Sequence, residues 1–306
     1  MVEIVLQGGL GNQMHQFAFG LAQSKVLKGK LTLNTALLGK SAKLGVTTRE
    51  FELECFPLIK FQINNRQICR RTHDELLYRS LKGGFTSDLY KFVNKISDVN
   101  VIQENSISSF SSIDFSKRRN KFIGYWQSSK YFEGINGEIY DYFKQPNKFV
   151  DLNQEFSFFD LGDSINVHVR RTDYLTNIKA RNFHGPLSLE YYFDSIGILR
   201  DMNYPSMPVV FFSDDPIWCQ NAFKSLKNAF YIIPKKVVPV INYLHALSNS
   251  RNLVLSNSSF SWWAAWLAGY REKNEVNVVV PNRWFLNPGI DDSKIIENHW
   301  LISKVR

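Results

Sequence analysis

Two adjacent arginines after an apolar run are the residues of this sequence whose types and spacing best suit chemistry. In INVHVRRTDY apolar and polar residues alternate, which predicts a strand, and Arg170 and Arg171 stand at its carboxyl end. Open α/β sheets bind ligands at that end, and the planar arginine fork suits a diphosphate. The alternatives are a structural ion pair between one arginine and Asp173, and a hydrogen-bonded core role for His168.

Two further apolar runs end in polar residues in the same way. PVVFFSDDP places Ser213 and Asp214 after a predicted strand, where they are candidate ligands of a ribose or base. Asp215 stands before a proline and fits the N-cap of the next helix. In NLVLSNSSFSWW, Ser258 and Ser259 would offer hydroxyl and N–H donors to a phosphate at a helix N-terminus.

A glycine-rich turn follows the first predicted strand. VEIVLQGGLGNQ includes Gly9 and Gly11, and such a turn lets the backbone approach an anion at the start of a helix. Met14 stands where the dinucleotide fingerprint requires its last glycine, so the turn is not that motif. For the glycines alone, a tight turn that binds no ligand is an equal alternative to a binding role. The polar side chains of Asn12 and Gln13 favour binding.

Strand-like and helical segments alternate along the second half of the chain, a pattern typical of a doubly wound α/β sheet. Strands are predicted at 164–169, 208–212, 229–233, 252–255 and 277–280, and helices at 187–203, 216–226, 242–250 and 259–270. In the first half we predict a βαβ unit from segments 2–6, 13–28 and 30–34, and we interpret residues 36–114 as mixed helix and loop. Two Rossmann-like lobes facing a central cleft are expected, namely 1–155 on the acceptor side and 156–306 on the donor side.

Composition narrows the classes of protein. The hydrophobic fraction of 44% excludes a disordered chain, and the formal net charge of +9 favours anionic partners. Lysines and arginines are dispersed, which excludes a nucleic-acid-binding stripe, and we interpret the basic cluster at 117–121 as a solvated face. No D-x-D motif and no histidine–cysteine cluster supports a metal site.

The N-terminal sequence and the cysteines bear on location. The chain begins without a charged segment followed by a long apolar one, and it contains no apolar stretch of membrane-spanning length. Its three cysteines have no disulfide-framework spacing. We therefore expect a cytoplasmic protein, whose dispersed positive charge predicts peripheral contact with the anionic inner face of the cytoplasmic membrane.

Taken together, the motifs resemble glycosyltransferase family 11, the α-1,2-fucosyltransferases of bacterial surface-glycan synthesis. The resemblance lies in GGLGNQMHQFAFG, HVRRTDY, YYFDSI, FFSDD and SNSSFSWWAAWL, which span nearly the whole chain. It implies an α/β fold of GT-B type and inverting transfer of fucose from GDP-β-L-fucose to a terminal galactose, without a metal or other cofactor.

The resemblance also implies roles for residues. Arg170 would contact the β-phosphate of the donor, with Arg171 and Asp173 completing that motif. The general base is open between Asp173, His15 and His184. With the candidates from the strand ends, the further predicted donor-binding residues are His168, Ser213, Asp214, Asn242, Ser258, Ser259, Phe260, Gly9, Gly11 and Asn12, and the predicted acceptor-binding residues are Gln13 and His184.

Departures from the family pattern leave alternatives open. His15 stands where the family usually has an apolar residue, and Ser250 replaces a frequent cysteine. Asn242 stands where an aspartate is frequent, and an amide accepts hydrogen bonds through one oxygen only, so another nucleotide sugar remains an alternative donor. A non-catalytic nucleotide- or sugar-binding module is the alternative from another class, and the intact arginine motif argues against it.

Overall fold

The structure, a computed structural model, describes residues 1–39, 49–60, 62–64, 99–104, 119–146, 161–202, 205–233 and 238–305. The chain divides into two compact units. The first consists of Met1–Leu53 and Ile59–Asn136, and the second of Glu54–Leu58 and Gly137–Arg306. The lobe boundary predicted between residues 155 and 156 lies outside the described residues.

The first unit is built on a parallel sheet. Its strands are β1 (Val2–Val5), β2 (Leu31–Asn34), β3 (Gln62–Asn64), β4 (Val99–Gln103) and β5 (Arg119–Ile123), in the order β3-β2-β1-β5-β4. Helix α1 (Leu10–Val26) connects β1 to β2, which confirms the predicted βαβ unit. The interpretation of 36–114 as mixed helix and loop is wrong for β3 and β4, because strands of three and five residues are too short for an apolar alternation to be recognised.

One residue of the basic cluster 117–121 is buried rather than solvated. Lys121 lies opposite Glu3 in the pairing of β5 with β1, and its Nζ is 3.6 Å from Glu3 Oε1. The same oxygen accepts a hydrogen bond from Asn34 Nδ2 at 2.6 Å. The central position of β1 in the sheet buries this pair, whereas Arg119 is exposed as expected. The solvated-face interpretation is therefore wrong for Lys121, and residues 117 and 118 lie outside the described residues.

The second unit is built on a six-stranded parallel sheet. Its strands are β6 (Ile165–Val169), β7 (Val209–Ser213), β8 (Ala229–Tyr231), β9 (Asn252–Val254), β10 (Asn277–Pro281) and β11 (Leu301–Ser303), in the order β11-β10-β9-β6-β7-β8. The five predicted strands are confirmed, and β11 was not predicted. The helices from residue 136 onward are α2 (Asn136–Phe143), α3 (Thr172–Thr176), α4 (Ile178–Phe183), α5 (Leu189–Met202), α6 (Pro216–Ala222), α7 (Val240–Ser248) and α8 (Ser259–Arg271).

Buried aromatic and aliphatic side chains attach α5 to the second sheet. Tyr191 and Ile196 of α5 belong to the same core cluster as Val167 of β6 and Phe211 of β7. Tyr191 Oη also donates to the carbonyl of Leu255, just after β9, at 2.6 Å. Apolar burial and one directed hydrogen bond thus fix α5 on the strands that carry the predicted site.

Each sheet has a point at which the strand order reverses. In the first, β1 leads to β2 on one side while β5 lies on the other; in the second, β6 leads to β7 on one side while β9 lies on the other. Ligands of such sheets bind outside the carboxyl ends at these points. The glycine turn follows β1, and the arginine pair and the serine-rich turn follow β6 and β9, so the topology places the predicted motifs where ligands are expected.

Alanine substitutions at one glycine of α1 and one glycine of α5 are expected to change the free energy of unfolding in opposite directions. A Cβ at Gly20 would lie 2.4 Å from Ile4 Cγ1 and 2.9 Å from Leu31 Cδ1, whereas one at Gly197 meets nothing within 4 Å. Gly20→Ala should therefore lower the free energy of unfolding by about 1–3 kcal/mol. Gly197→Ala, its matched control, should raise it by about 0.5–1 kcal/mol through helix propensity and reduced chain entropy. Urea unfolding monitored by circular dichroism measures both, and a stabilising Gly20→Ala would contradict the packing.

No helix in the described part of the chain is both long and apolar enough to cross a membrane.

Candidate active site

Arg170 stands at the carboxyl end of β6 between two carboxylates. Its Nη2 donates to Asp173 Oδ2 at 2.6 Å, and its Nη1 lies 3.2 Å from Asp214 Oδ2. Burial disfavours the charge, but the bond to Asp173 and the charge of Asp214 outweigh burial and raise the pKa of Arg170. The side chain is still 23% exposed. Arg170 is therefore an oriented, permanently charged group that a ligand can reach.

Asp214, at the end of β7, organises the turn that carries the arginines. Its Oδ1 accepts from the backbone N–H of Arg171 at 2.9 Å. Its Oδ2 accepts from the backbone N–H and the hydroxyl of Thr172, at 3.2 Å and 2.6 Å. With the ion pair to Arg170, both oxygens of this carboxylate are engaged inside the protein. The contacts support a positioning role, and the ribose or base contact predicted for Asp214 stays a prediction.

Arg171 points to α6 rather than along Arg170. Its guanidinium carbon lies 3.8 Å from the centre of the Trp218 ring, in a cation–π contact, and its Nε is 3.4 Å from Asp215 Oδ2. Asp215 also accepts from the backbone N–H of Trp218 at 3.2 Å, which confirms it as the N-cap of α6. Ser213 accepts from the backbone N–H of Asp215 at 2.9 Å. Of the two predicted phosphate-binding arginines, Arg170 is thus the better placed.

His168 connects β6 to the turn after β9. Its Nδ1 lies 2.7 Å from the hydroxyl of Ser256, and the residue is buried. Burial, aided by the charge of Arg170, lowers the pKa of His168 to about 3. The imidazole is therefore neutral at physiological pH and has the contacts of a hydrogen-bonded core histidine, while its predicted donor contact stays a prediction.

The depressed pKa of His168 predicts acid sensitivity. In the unfolded chain the His168 imidazole has its ordinary pKa of 6.5. As the pH falls, the unfolded state therefore binds a proton that the folded state does not bind. Between about pH 7.5 and about pH 5.5 this should lower the free energy of unfolding by about 1.4 kcal/mol. Urea titrations at both pH values should show His168→Asn losing that amount of pH dependence. His299→Asn, at an exposed position, should lose less; an unchanged dependence in His168→Asn would contradict a neutral buried imidazole.

The serine-rich turn after β9 begins α8. Ser258 is the N-cap, and its hydroxyl accepts from the backbone N–H of Phe260 at 3.4 Å. Ser259 begins the helix, and the Phe260 ring lies 5.3 Å from that of His168. All three residues are only partly buried, so the partial positive charge at this helix start is accessible to an anion.

Asn257, within the same turn, ties two loops to the site, and sequence reasoning missed this role. Its Nδ2 donates to the carbonyls of His184, Gly185 and Trp284 at 3.0, 3.2 and 3.2 Å. Its own carbonyl accepts from Tyr174 Oη at 2.8 Å. Asparagine is frequent in turns for local reasons, so nothing in the sequence indicates these distant partners.

His184, a candidate base, lies against α3. Its ring stacks on Tyr174 with centres 5.0 Å apart and planes at 3°. Burial lowers its pKa to about 4, although the charge of Asp173 opposes the shift. The imidazole is therefore neutral and half-buried. Arg170, Asp173 and His184 belong to one electrostatic cluster of the second unit.

His15 and Asn242 are both interior residues. His15, on α1 in the first unit, is 1% exposed, and its Nδ1 lies 3.0 Å from the carbonyl of Gly11. Burial lowers its pKa to about 3. Asn242 is 2% exposed in α7, which packs on α8. The catalytic role of His15 and the base-reading role of Asn242 stay predictions.

The glycine turn of the first unit is a braced helix start. Gly9 is the N-cap of α1, and Gly11 is buried within the helix. Gly8 has φ +78°, and a Cβ there would lie 2.3 Å from Asn12 Nδ2, so glycine is required. Asn12 Oδ1 accepts from Gln127 Nε2 at 2.7 Å. The turn after β1 is thereby tied to the segment after β5.

Gln13 uses its whole side chain inside the first unit. Its Nε2 donates to the carbonyls of Gly8 and Glu50 at 2.9 and 2.8 Å. Its Oε1 accepts from the backbone N–H of Glu52 at 3.0 Å, and the residue is fully buried. These contacts give Gln13 a structural task, and its predicted acceptor contact stays a prediction.

Comparison with known proteins gives the family. Residues 1–301 match the model of glycosyl transferase family 11. The chain belongs to glycosyltransferase family 11. This confirms the resemblance stated from the motifs.

The relatives of this family 11 transferase include two curated proteins of Escherichia coli. An α-1,2-colitosyltransferase is 28% identical over 291 residues, which cover 92% of this chain and 91% of the relative. The O-antigen biosynthesis glycosyltransferase WbnK is 26% identical over 319 residues, which cover 97% and 98%. This chain is therefore a glycosyltransferase with relatives in O-antigen biosynthesis.

Among solved structures, a NodZ α-1,6-fucosyltransferase soaked with GDP-fucose covers 87% of this family 11 transferase and 92% of its own chain. The TM-score is 0.50 at 10% sequence identity, which bears on the fold alone. With the two parallel sheets, it confirms the predicted GT-B type of α/β fold.

The described residues of the family 11 transferase include no group of three or more histidine, cysteine, aspartate or glutamate side chains arranged to hold a metal ion. Metal independence stays a prediction.

Proposed function

We propose that this enzyme is an inverting α-1,2-fucosyltransferase, which transfers fucose from GDP-β-L-fucose to the 2-hydroxyl of a terminal galactose in a surface glycan or oligosaccharide. One observation carries the proposal. Arg170 is charged, partly exposed and fixed by Asp173 and Asp214 at the reversal point of the second sheet, where the neighbouring strand β9 leads to the start of α8. A nucleoside diphosphate is the ligand that this combination of an oriented arginine and a positively polarised helix start suits.

The proposed reaction is a single in-line displacement at C1 of fucose. The acceptor oxygen forms a bond to C1 as the bond from C1 to the β-phosphate oxygen breaks, and GDP leaves with the electron pair. The proton of the acceptor hydroxyl passes to the general base, for which Asp173, His15 and His184 are the predicted candidates. Negative charge grows on the β-phosphate as this bond breaks. Arg170 would stabilise that charge from a position already fixed by two carboxylates, and the N-terminus of α8 would add its partial positive charge.

GDP-colitose is the second candidate donor, and the likeness to an α-1,2-colitosyltransferase favours it. Colitose is fucose without its 3-hydroxyl group, so the phosphate contacts would be the same for both donors. Asn242 keeps a base other than guanine open as well, because its amide has a single acceptor oxygen.

A donor panel tests the proposal. Thermal-shift titrations with GDP, UDP and CMP, with and without EDTA, report the base and any need for a metal. Turnover of GDP-fucose and GDP-colitose with lactose, N-acetyllactosamine and galactosyl-β-1,3-N-acetylgalactosamine reports the sugar and the acceptor, and NMR of the product gives the linkage. We expect stabilisation by GDP, insensitivity to EDTA and a 2-linked α-fucosyl product. Stabilisation by UDP alone, or transfer of colitose alone, would overturn the fucose assignment; tight binding without turnover would indicate a binding module.

Peripheral contact with an anionic membrane face is part of the proposal. It is supported by the formal net charge of +9. Binding to vesicles that contain phosphatidylglycerol, and release by salt, would be expected. Equal binding to neutral vesicles would contradict an electrostatic contact.

A further inference from the structure

Four exposed apolar side chains lie on two neighbouring segments of the second unit. Ile178, the first residue of α4, is 74% exposed. Leu175 of α3, Phe183 at the end of α4 and Leu286 are exposed as well. Single exposed apolar residues are ordinary on a protein surface, whereas several on neighbouring segments indicate a surface that contacts a partner.

Hydrogen bonds hold the backbone of both segments. The backbone N–H of Leu286 donates to the carbonyl of Phe183 at 2.9 Å, which joins the two segments. The backbone N–H of Asn177 donates to the carbonyl of Asp173 at 3.0 Å, which joins α4 to α3. The Asn177 side chain accepts from two backbone N–H groups in the first turn of α4, at 3.0 and 3.2 Å. The four apolar side chains, hereafter the α4 surface, are therefore displayed in fixed positions.

The other side of these segments is attached to the protein interior. The buried side chain of Asn257 donates to the carbonyls of His184, Gly185 and Trp284, at 3.0, 3.2 and 3.2 Å. A Cβ at Gly185 would lie 2.9 Å from Leu286 Cδ1, so the Leu286 side chain lies directly against the loop after α4. One side of the segments is thus committed to the protein, and the α4 surface is the side that a partner can reach.

The charged residues on these segments are all basic. Residues 174–189 include Lys179 and Arg181, both exposed, and no acidic residue. Residues 282–290 include Arg283 and no acidic residue. Asp292, which follows the second segment, accepts from the backbone N–H of Trp284 at 2.5 Å. Apolar side chains accompanied by positive charge fit a partner with an apolar interior and a negatively charged surface.

An anionic lipid bilayer has both of these properties. Apolar side chains can enter the boundary between head groups and acyl chains, while lysine and arginine stay among the lipid phosphates. A second copy of this chain fits less well, because a two-fold contact would bring Lys179 and Arg181 of both copies together. A nucleic acid would leave the apolar side chains without a partner, since most of its contacts are made through phosphate and sugar.

We propose that the α4 surface, together with Lys179 and Arg181, is the part of this enzyme that contacts an anionic membrane. The proposal rests on the membrane contact of the proposed function and names the surface that makes it. It is independent of the donor sugar and of the acceptor, because neither takes part in the contact. It differs from attraction by the dispersed charge of the whole chain, since it requires apolar and basic residues at one place.

Sedimentation with vesicles of phosphatidylglycerol and phosphatidylcholine tests the α4 surface without any substrate. The wild type should bind, and should bind more weakly to vesicles of phosphatidylcholine alone. Ile178→Asp should lower the partition coefficient by about tenfold or more, because a negative charge replaces an apolar side chain that enters the lipid. Lys179→Ala and Arg181→Ala should each lower it by about fivefold. All three positions are exposed, so the thermal unfolding temperature should not change.

Matched controls change the same kinds of side chain elsewhere in the second unit. Ile217→Asp replaces an exposed apolar residue of α6, and Lys224→Ala removes an exposed lysine. Both variants should keep the partition coefficient within about twofold of the wild-type value. Hydrogen–deuterium exchange of the wild type should show protection of residues 175–183 when vesicles are added, which locates the contact directly.

Several outcomes would overturn the assignment of the α4 surface. One is the absence of vesicle binding by the wild type, and another is an equal loss of binding in the control variants, which would leave dispersed charge as the cause. Self-association that Ile178→Asp abolishes, with vesicle binding unchanged, would make the surface a contact between two copies. A raised acceptor KM in Ile178→Asp, with vesicle binding unchanged, would make it part of the acceptor site.

The membrane assay and the transfer assay fail separately. Lactose is a soluble acceptor, so its turnover should be equal in the wild type and in Ile178→Asp. If the wild type transfers no fucose to lactose, N-acetyllactosamine or galactosyl-β-1,3-N-acetylgalactosamine, the proposed reaction is contradicted, while vesicle binding still decides the α4 surface. If transfer proceeds but the wild type does not bind vesicles, the reaction stands and the membrane contact is contradicted.

Discussion

Arg170→Ala should lower kcat for sugar transfer by about 100- to 1000-fold, which corresponds to about 3–4 kcal/mol of lost transition-state stabilisation. The reason is that negative charge grows on the leaving diphosphate, and Arg170 is the partly exposed guanidinium that two carboxylates already orient at the end of β6. GDP affinity should fall as well, since the same charge meets the product. Steady-state kinetics and calorimetric titration of GDP measure the two effects.

Arg170→Lys should recover little of this loss. A lysine offers one ammonium group in place of a planar fork, and it cannot engage Asp173 and Asp214 while presenting further donors to a phosphate. Arg251→Ala is the matched control, because that side chain is 58% exposed and lies 3.9 Å from Asp163 in a surface pair. Its activity should stay within about twofold of the wild type. Near-normal turnover of a folded Arg170→Ala protein would contradict the assignment of Arg170 to the leaving diphosphate.

Asp214→Ala should have the largest combined effect on stability and activity. The substitution removes the acceptor of three hydrogen bonds from Arg171 and Thr172 and one of the two carboxylates that hold Arg170. We expect the free energy of unfolding to fall by about 3 kcal/mol, and kcat to fall because Arg170 is no longer fixed. Urea unfolding and kinetics of the same preparations measure both quantities.

Asp214→Asn distinguishes a positioning residue from a donor ligand. An asparagine keeps one acceptor oxygen, so a positioning role predicts intermediate losses of stability and kcat together. A direct contact with ribose or base, as the sequence suggested, predicts instead a raised donor KM with stability largely retained. Asp163→Ala, whose side chain is 78% exposed, is the control and should change neither quantity. Full stability of Asp214→Ala would contradict the bracing contacts.

The sequence predicted the site where pattern and topology agree. The β6 run has clear alternation, and parallel strands bring their carboxyl ends to one edge, so Arg170, Asp214 and Ser258 were expected on the same side of one sheet. The N-cap role of Asp215 was also foreseen, since a helix start depends on neighbouring residues alone. These predictions required only local rules and the order of elements.

The rest depends on contacts between residues distant in the chain. Arg171 makes a cation–π contact with Trp218, and Asn257 donates hydrogen bonds to the carbonyls of His184 and Trp284. No local spacing in the sequence predicts these partners. Lys121 was expected to be exposed to water, because a lysine in a polar run is usually solvated. It is buried instead, because it pairs with Glu3 of the central strand β1. Strands β3 and β4 have only three and five residues, so neither was recognised in the sequence.

The two reversal points have a consequence for how the enzyme is made. β1 and β5 are adjacent in space but separated by more than a hundred residues, and β6 lies beside β9 across more than eighty. Closing loops of this length is slow, and a nascent chain cannot form either strand pair until the later strand has left the ribosome. During synthesis, the glycine turn after β1 can therefore be fixed in place only after residues 119–123 have been made. The turn that carries Arg170 and Arg171 can be fixed only after residues 252–254 have been made. Ligand-binding competence should appear late and abruptly in each unit, long after its first helix has formed.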